Sequence, residues 1–154
     1  MPPRAALTAT EQDAWRAFVL AAMQVTERLG RHLQADFDLS MDDYGILTVL
    51  AESPDGELRF TDIARTLRMP KANVTYRFQR MERRELVVRR ACASDARGAF
   101  AVLTAQGRSV IQLAEAPHLR LVRQLFIDPI EPDALPTLSE QLRRVLDGLE
   151  SDHP

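Results

Sequence analysis

The side chains best placed to do chemistry in this sequence are arginines, and they are clustered. Between Arg59 and Arg97 eleven basic residues stand against four acidic ones, although the whole chain carries a net charge of −2. A basic centre between acidic flanks suits contact with a polyanion. Within it, residues 71–84 place Val74, Phe78 and Met81 on one helical face and Ala72, Tyr76, Gln79, Arg80 and Arg83 on the other, flanked by Asn73, Thr75 and Arg84. Arginines on such a face suit phosphates, and Lys71, Asn73, Thr75 and Tyr76 near its start suit base edges in a major groove. For any single arginine the alternative is a solvated helix surface.

Other reactive residue types form no constellation. His32, His118 and His153 are far apart, and position i+4 from His118 is Val122 rather than a ligand. Cys92 is the one cysteine, so no internal disulfide is possible; a small packing residue at a strand edge is favoured over a redox sensor. No glycine-rich phosphate loop, paired-acid site or nucleophile motif is present, so no catalytic residue, metal or cofactor is expected, and the chain does not read as an enzyme. The N-terminus lacks the apolar run of a secretory signal, and no segment reaches the roughly 18 apolar residues of a membrane span. The expectation is a cytoplasmic protein without a membrane partner.

The elements that must hold the basic helix are legible in the pattern. Residues 10–36 read as a long amphipathic helix carrying Trp15, Phe18, Met23, Leu29 and Leu33. Ser40 with Asp43 reads as a capping box that opens a second helix, and Ser53-Pro54-Asp55-Gly56 closes it. After an extended Leu58-Arg59-Phe60, Thr61 is the expected cap of a helix over 62–68, and Pro70 suits the start of the helix over 71–84. Two short helices with a tight turn between them form a helix-turn-helix pattern. Strands over 86–90 and 99–103 enclose a polar loop, residues 92–98, as a hairpin wing. Thr104 caps a helix over about 105–127, with a kink expected at Ala116-Pro117. The last helix repeats Leu135, Leu138, Leu142, Val145 and Leu149 in steps of 3 and 4. The fold class is mainly α (α+β).

This order of elements resembles that of the MarR family of winged helix-turn-helix regulators. The residues that carry the resemblance are Asp43-Tyr44-Gly45-Ile46-Leu47, Thr61-Asp62-Ile63-Ala64, Arg80-Met81-Glu82-Arg83-Arg84 with Leu86-Val87, Asp95-Ala96-Arg97, and Leu103-Thr104-Ala105-Gln106-Gly107. Two departures stand out. Glu85 occupies the place where the family usually has glycine, which costs about 1 kcal/mol if that site needs a positive φ. Tyr76 stands where a basic residue is common, and Arg77 where an apolar one is.

The resemblance implies an N-terminal dimerisation helix over 1–38, a DNA-binding winged domain over 39–104 and C-terminal dimerisation helices over 105–154. It implies a repressor that binds double-stranded DNA at a palindromic operator as a homodimer. Lys71, Asn73, Thr75 and Tyr76 would meet the major groove, Arg80, Arg83 and Arg84 phosphates, and Arg97, held by Asp95, the minor groove at the wing. Leu138, Leu142 and Val145 would pack across the dimer. It also implies release by a small aromatic or anionic ligand, with Trp15, Tyr44, Arg120 and Arg123 as candidate lining; core packing is the competing reading of Trp15. A different class, a winged-helix module that binds protein and not DNA, is opposed by the basic segment and Arg97.

Overall fold

The computed structural model describes the backbone of residues 6–92 and 95–151, and side chains outside 92–98 and 150–151. Its elements are α1 (Ala9–Phe37), α2 (Met41–Glu52), β1 (Glu57–Arg59), α3 (Phe60–Thr66), α4 (Lys71–Arg83), β2 (Val87–Cys92), β3 (Asp95–Leu103), α5 (Ala105–Val122) and α6 (Leu135–Ser151). A π-helical turn, Arg123–Ile127, and a 3-10 turn, Pro132–Ala134, lie between α5 and α6. The sheet is antiparallel in the order β1-β3-β2. The chain divides into two compact units, one ending at Leu119 and one beginning at Arg120.

The first unit is built on one core. Leu33 of α1, Ile46, Leu47 and Leu50 of α2, Ile63 of α3, Val74, Phe78 and Met81 of α4, Val87 and Ala101 of the hairpin and Ile111 and Ala114 of α5 all belong to it. Phe60 and Phe78 meet edge to face with ring centroids 4.8 Å apart, an arrangement favoured by the ring quadrupoles. Winged domain and flanking helices thus share a core, which fixes the end of α1 and the first half of α5 to the helix-turn-helix.

Local signals set most boundaries. The Ser40–Asp43 capping box is formed in both directions. Thr104 Oγ1 accepts from the Gly107 amide at 3.0 Å and so caps α5. Gly107 is required by close approach: a Cβ there would lie 2.1 Å from the Leu86 carbonyl oxygen. That contact presses the start of α5 onto the start of the wing. Thr61, by contrast, caps nothing. α3 begins two residues earlier, at Phe60, with Arg59 at the cap position and no side-chain cap bond, because Phe60 turns straight from β1 into the core. The wing strands also run beyond the expected limits, to Cys92 and from Asp95. α5 continues as helix through Pro117.

Among the described residues, three other than glycine sit at positive φ: Asp38 (52°), Arg68 (49°) and Glu85 (57°). Arg68 makes the turn between α3 and α4, and Glu85 the turn from α4 into the wing. The substitution of glutamate for the family's usual glycine therefore falls on a position that needs the left-handed conformation.

In the second unit the apolar stripe of α6 divides. Leu135, Leu138, Leu142 and Leu146 line a groove of about 440 Å3 with Phe126 and Ile127 of the π turn. Val145 and Leu149 lie off the groove and are exposed, and Leu146 at its edge is exposed too. The groove follows the 3.6-residue helical period, so Leu146 replaces Val145 in it.

Candidate nucleic-acid interface

α4 buries Val74, Phe78 and Met81 completely, which pins its apolar side to the core. Lys71, Asn73, Tyr76, Gln79 and Arg83 are exposed on the remaining surface, Tyr76 to 65%. The Arg77 guanidinium lies over the Tyr76 ring, 5.8 Å from its centroid, and the rest of the ring faces outward. Thr75 is half-buried, and its hydroxyl donates to the Lys71 carbonyl oxygen at 3.0 Å, the ordinary return bond of a helical threonine.

The arginines fall into two groups that sequence reasoning did not separate. Arg83 stands on the crest of the helix beside Tyr76. Arg77, Arg80 and Arg84, spaced three and four residues apart, form a stripe along one shoulder. Each is tied to the junction between α1 and α2. Arg77 Nε lies 3.4 Å from Asp42, and Arg80 Nη2 3.2 Å from Asp38. Arg84 Nη2 donates to the Phe37 carbonyl oxygen at 3.1 Å, Nη1 donates to the Asp38 carbonyl oxygen, and the Asp38 carboxylate is 3.4 Å away. Arg84 therefore caps the carbonyl end of α1, where the helix dipole favours a cation. No spacing rule in the sequence points to these pairs, since the partners are more than thirty residues apart.

Asp95 and Arg97, expected in the wing loop, fall in the backbone of β3, and Cys92 ends β2. Their side chains lie outside the described residues, as does His153. Arg90 of β2 pairs with Glu57 of β1, and Arg89 lies over the Phe60 ring at 4.9 Å. Arg90 thus ties β2 to β1, and Arg89 ties β2 to the aromatic rings of α3 and α4.

A cavity of about 240 Å3 opens between α2 and α5, lined by Tyr44, Thr48, Glu52, Arg108, Ile111 and Glu115, with Ala51 and Gln112. Of the four candidate ligand residues, only Tyr44 lines it. Trp15 is 59% exposed, and Arg120 and Arg123 belong to the second unit. Burial pushes the Tyr44 hydroxyl above its usual range; a hydrogen bond with Thr48 opposes this, and the charges of Glu115 and Glu52 add to it. Behind Tyr44, His118 stacks at 4.3 Å between centroids and is only 6% exposed. Its pKa is lowered, first by burial and then by the nearby His32. His32 Nδ1 faces Asp36 at 3.0 Å, while His32 Nε2 and His118 Nδ1 are buried without a partner. The fold thus brings together two histidines that sequence distance had separated. Among the described residues no group of three or more potential ligands is arranged to hold a metal ion.

Taken together, an antiparallel wing beside two short helices, the second pinned on one face and basic on the other, defines a winged helix-turn-helix protein. A family model described as MarR family matches residues 37–98. Two solved structures from Streptomyces coelicolor match almost end to end. AbsC, a MarR family transcriptional regulator, is 37% identical with a TM-score of 0.91, over 96% of this chain and 99% of AbsC. Sco3205, a MarR family regulator solved in complex with DNA, is 36% identical with a TM-score of 0.93, over 97% and 93% of the two chains. MepR of S. aureus, solved in a DNA complex, shares the fold at 18% identity and a TM-score of 0.78, over 93% and 99%. No curated protein sequence matches the chain significantly. The chain belongs to the MarR family of transcriptional regulators.

Proposed function

We propose that this regulator represses transcription by binding a palindromic operator in double-stranded DNA as a homodimer, in the cytoplasm, and is released by a small molecule. The observation that carries the reading is α4. It is locked to the core on one side and offers Lys71, Asn73, Tyr76 and Arg83 on the other, the shape and chemistry of a recognition helix in a major groove. In this reading Lys71, Asn73, Thr75 and Tyr76 meet base edges, and Arg83 and Arg80 meet phosphates. Arg84, its donors already engaged, serves mainly to hold the helix. Asp95 and Arg97 carry the wing to the minor groove. The DNA complex of Sco3205 supports the reading at 36% identity.

Uncovered apolar side chains support the dimer. Trp15, Phe18, Leu20 and Met23 on α1, and Val145 and Leu149 on α6, are exposed in the single chain. Such residues mark association surfaces when they cluster, and a two-fold axis would cover them in pairs. Leu138 and Leu142, in the α6 groove, would add to the part of the interface that α6 supplies. The cavity at Tyr44 is the proposed effector site. Glu52 and Glu115 outnumber Arg108 on its wall and so disfavour an anion; we infer an aromatic effector, neutral or cationic, near Tyr44.

An electrophoretic shift against the DNA upstream of the protein's own gene, titrated with salt, tests the function. Nanomolar, sequence-dependent binding with a steep salt slope is expected. Equal, weak binding to all duplexes sinks the operator reading.

A further inference from the structure

The corner between α1 and α2 presents Asp38, which ends α1, and Asp42, in the first turn of α2, to the shoulder of α4 that carries Arg77, Arg80 and Arg84. Asp38 is the pivot of this junction. It ends α1 in the left-handed conformation, its amide donates to the Gln34 carbonyl oxygen, and the next amide, Leu39, donates to Leu33. Its side chain also accepts from Gln34. Leu39 is fully buried, so this turn is anchored in the core. Isolated surface ion pairs contribute little. Here one carboxylate takes two guanidinium groups, and one of these also bonds the last carbonyls of α1, so the contacts form a network with fixed geometry.

We propose that Asp38 and Asp42 are positioning residues for DNA binding. They clamp the arginine stripe of α4 to the α1–α2 junction, so that the recognition helix moves as one body with α1. The proposal rests on the homodimer reading, in which the apolar face of α1 packs against the second copy. The clamp then sets the separation of the two recognition helices and makes the dimer intolerant of altered half-site spacing. One base pair added at the centre of an operator moves a half-site by about 3.4 Å and rotates it by about a tenth of a turn. A rigid dimer must distort to follow it, and a loosened one need not.

The test uses the full chain, a duplex selected by it from a random-sequence pool, and the same duplex with one central base pair added or removed. Asp38→Asn with Asp42→Asn is the informative variant, because asparagine tolerates the left-handed conformation and removes only charge. Arg84→Gln breaks the clamp from the opposite side and covers the case in which the double variant fails to fold. Both variants are expected to sediment as the wild-type dimer. They should bind the selected duplex about tenfold more weakly, lose about tenfold of the discrimination against altered spacing, and keep the salt slope on a random-sequence duplex. Dimeric variants with undiminished spacing discrimination overturn the clamp alone. Tighter binding of the aspartate variant to every duplex with a steeper slope also overturns it, since the aspartates would then merely screen the arginines. A monomeric wild-type protein overturns the dimer reading, and the clamp with it.

Discussion

At Glu85 the chain accepts backbone strain where a relative with glycine has none. The residue sits at φ 57°, held by Thr104 Oγ1 donating to its carbonyl oxygen and by the 3.3 Å bond from Gln106 Nε2 to the carbonyl of Arg84. Left-handed geometry costs an L-residue roughly 1–2 kcal/mol, and part of the relief on substitution is lost to the greater freedom of unfolded glycine. Glu85→Gly is therefore expected to raise unfolding stability by about 0.5–1 kcal/mol in urea titration; a loss of stability would show that the glutamate side chain has a stabilising contact. His118 acts with the opposite sign at low pH. Its folded pKa lies below the unfolded value, so the unfolded chain binds the proton more readily. Stability is full above the unfolded value near 6.5 and falls as pH drops below it. Between pH 8 and pH 5.5 the wild type should lose more stability than His118→Gln. Equal losses would show that the histidine is not linked to folding.

At the level of elements, α4 separates two kinds of contact. Arg83→Ala should weaken binding to all duplexes alike and lower the salt slope by about one unit, whereas Tyr76→Ala should change preference among operator sequences. Fluorescence anisotropy over a salt series distinguishes them, and the reverse pattern would exchange the roles. For the wing, Arg97→Ala should cost about 1–3 kcal/mol of DNA affinity without lowering the thermal midpoint; unchanged affinity removes the wing from the interface. α4 was legible in the sequence because a helix pinned on one face must alternate apolar and polar residues with its own period. The division of its arginines was not, because Asp38 and Asp42 reach them only through the fold.

For the whole molecule, the exposed apolar face of α1 is the feature a single chain leaves unexplained. Trp15→Glu with Phe18→Glu places charge on a surface that is open in the monomer, so the fold should survive while the dimer does not. Sedimentation velocity at micromolar concentration should show a monomer with native helix content. Operator affinity should then fall steeply, since two half-sites held together gain effective concentration that separate monomers lack. A variant that remains dimeric would move the interface elsewhere.

The sequence by itself determined the elements and their order, because caps, turn residues and apolar period act over a few residues. Ser40 with Asp43 made the start of α2 legible in this way, as the family resemblance did the glycine of Leu103-Thr104-Ala105-Gln106-Gly107. Only the tertiary structure decided that Gly107 is needed for contact with Leu86, that Glu85 lies at positive φ, and that Thr61 gives way to Phe60. It alone set His118 beside His32 and Tyr44, and Asp38 beside Arg80 and Arg84. Those contacts join residues distant along the chain, and their energies depend on burial and on angles between helices, which no local pattern encodes.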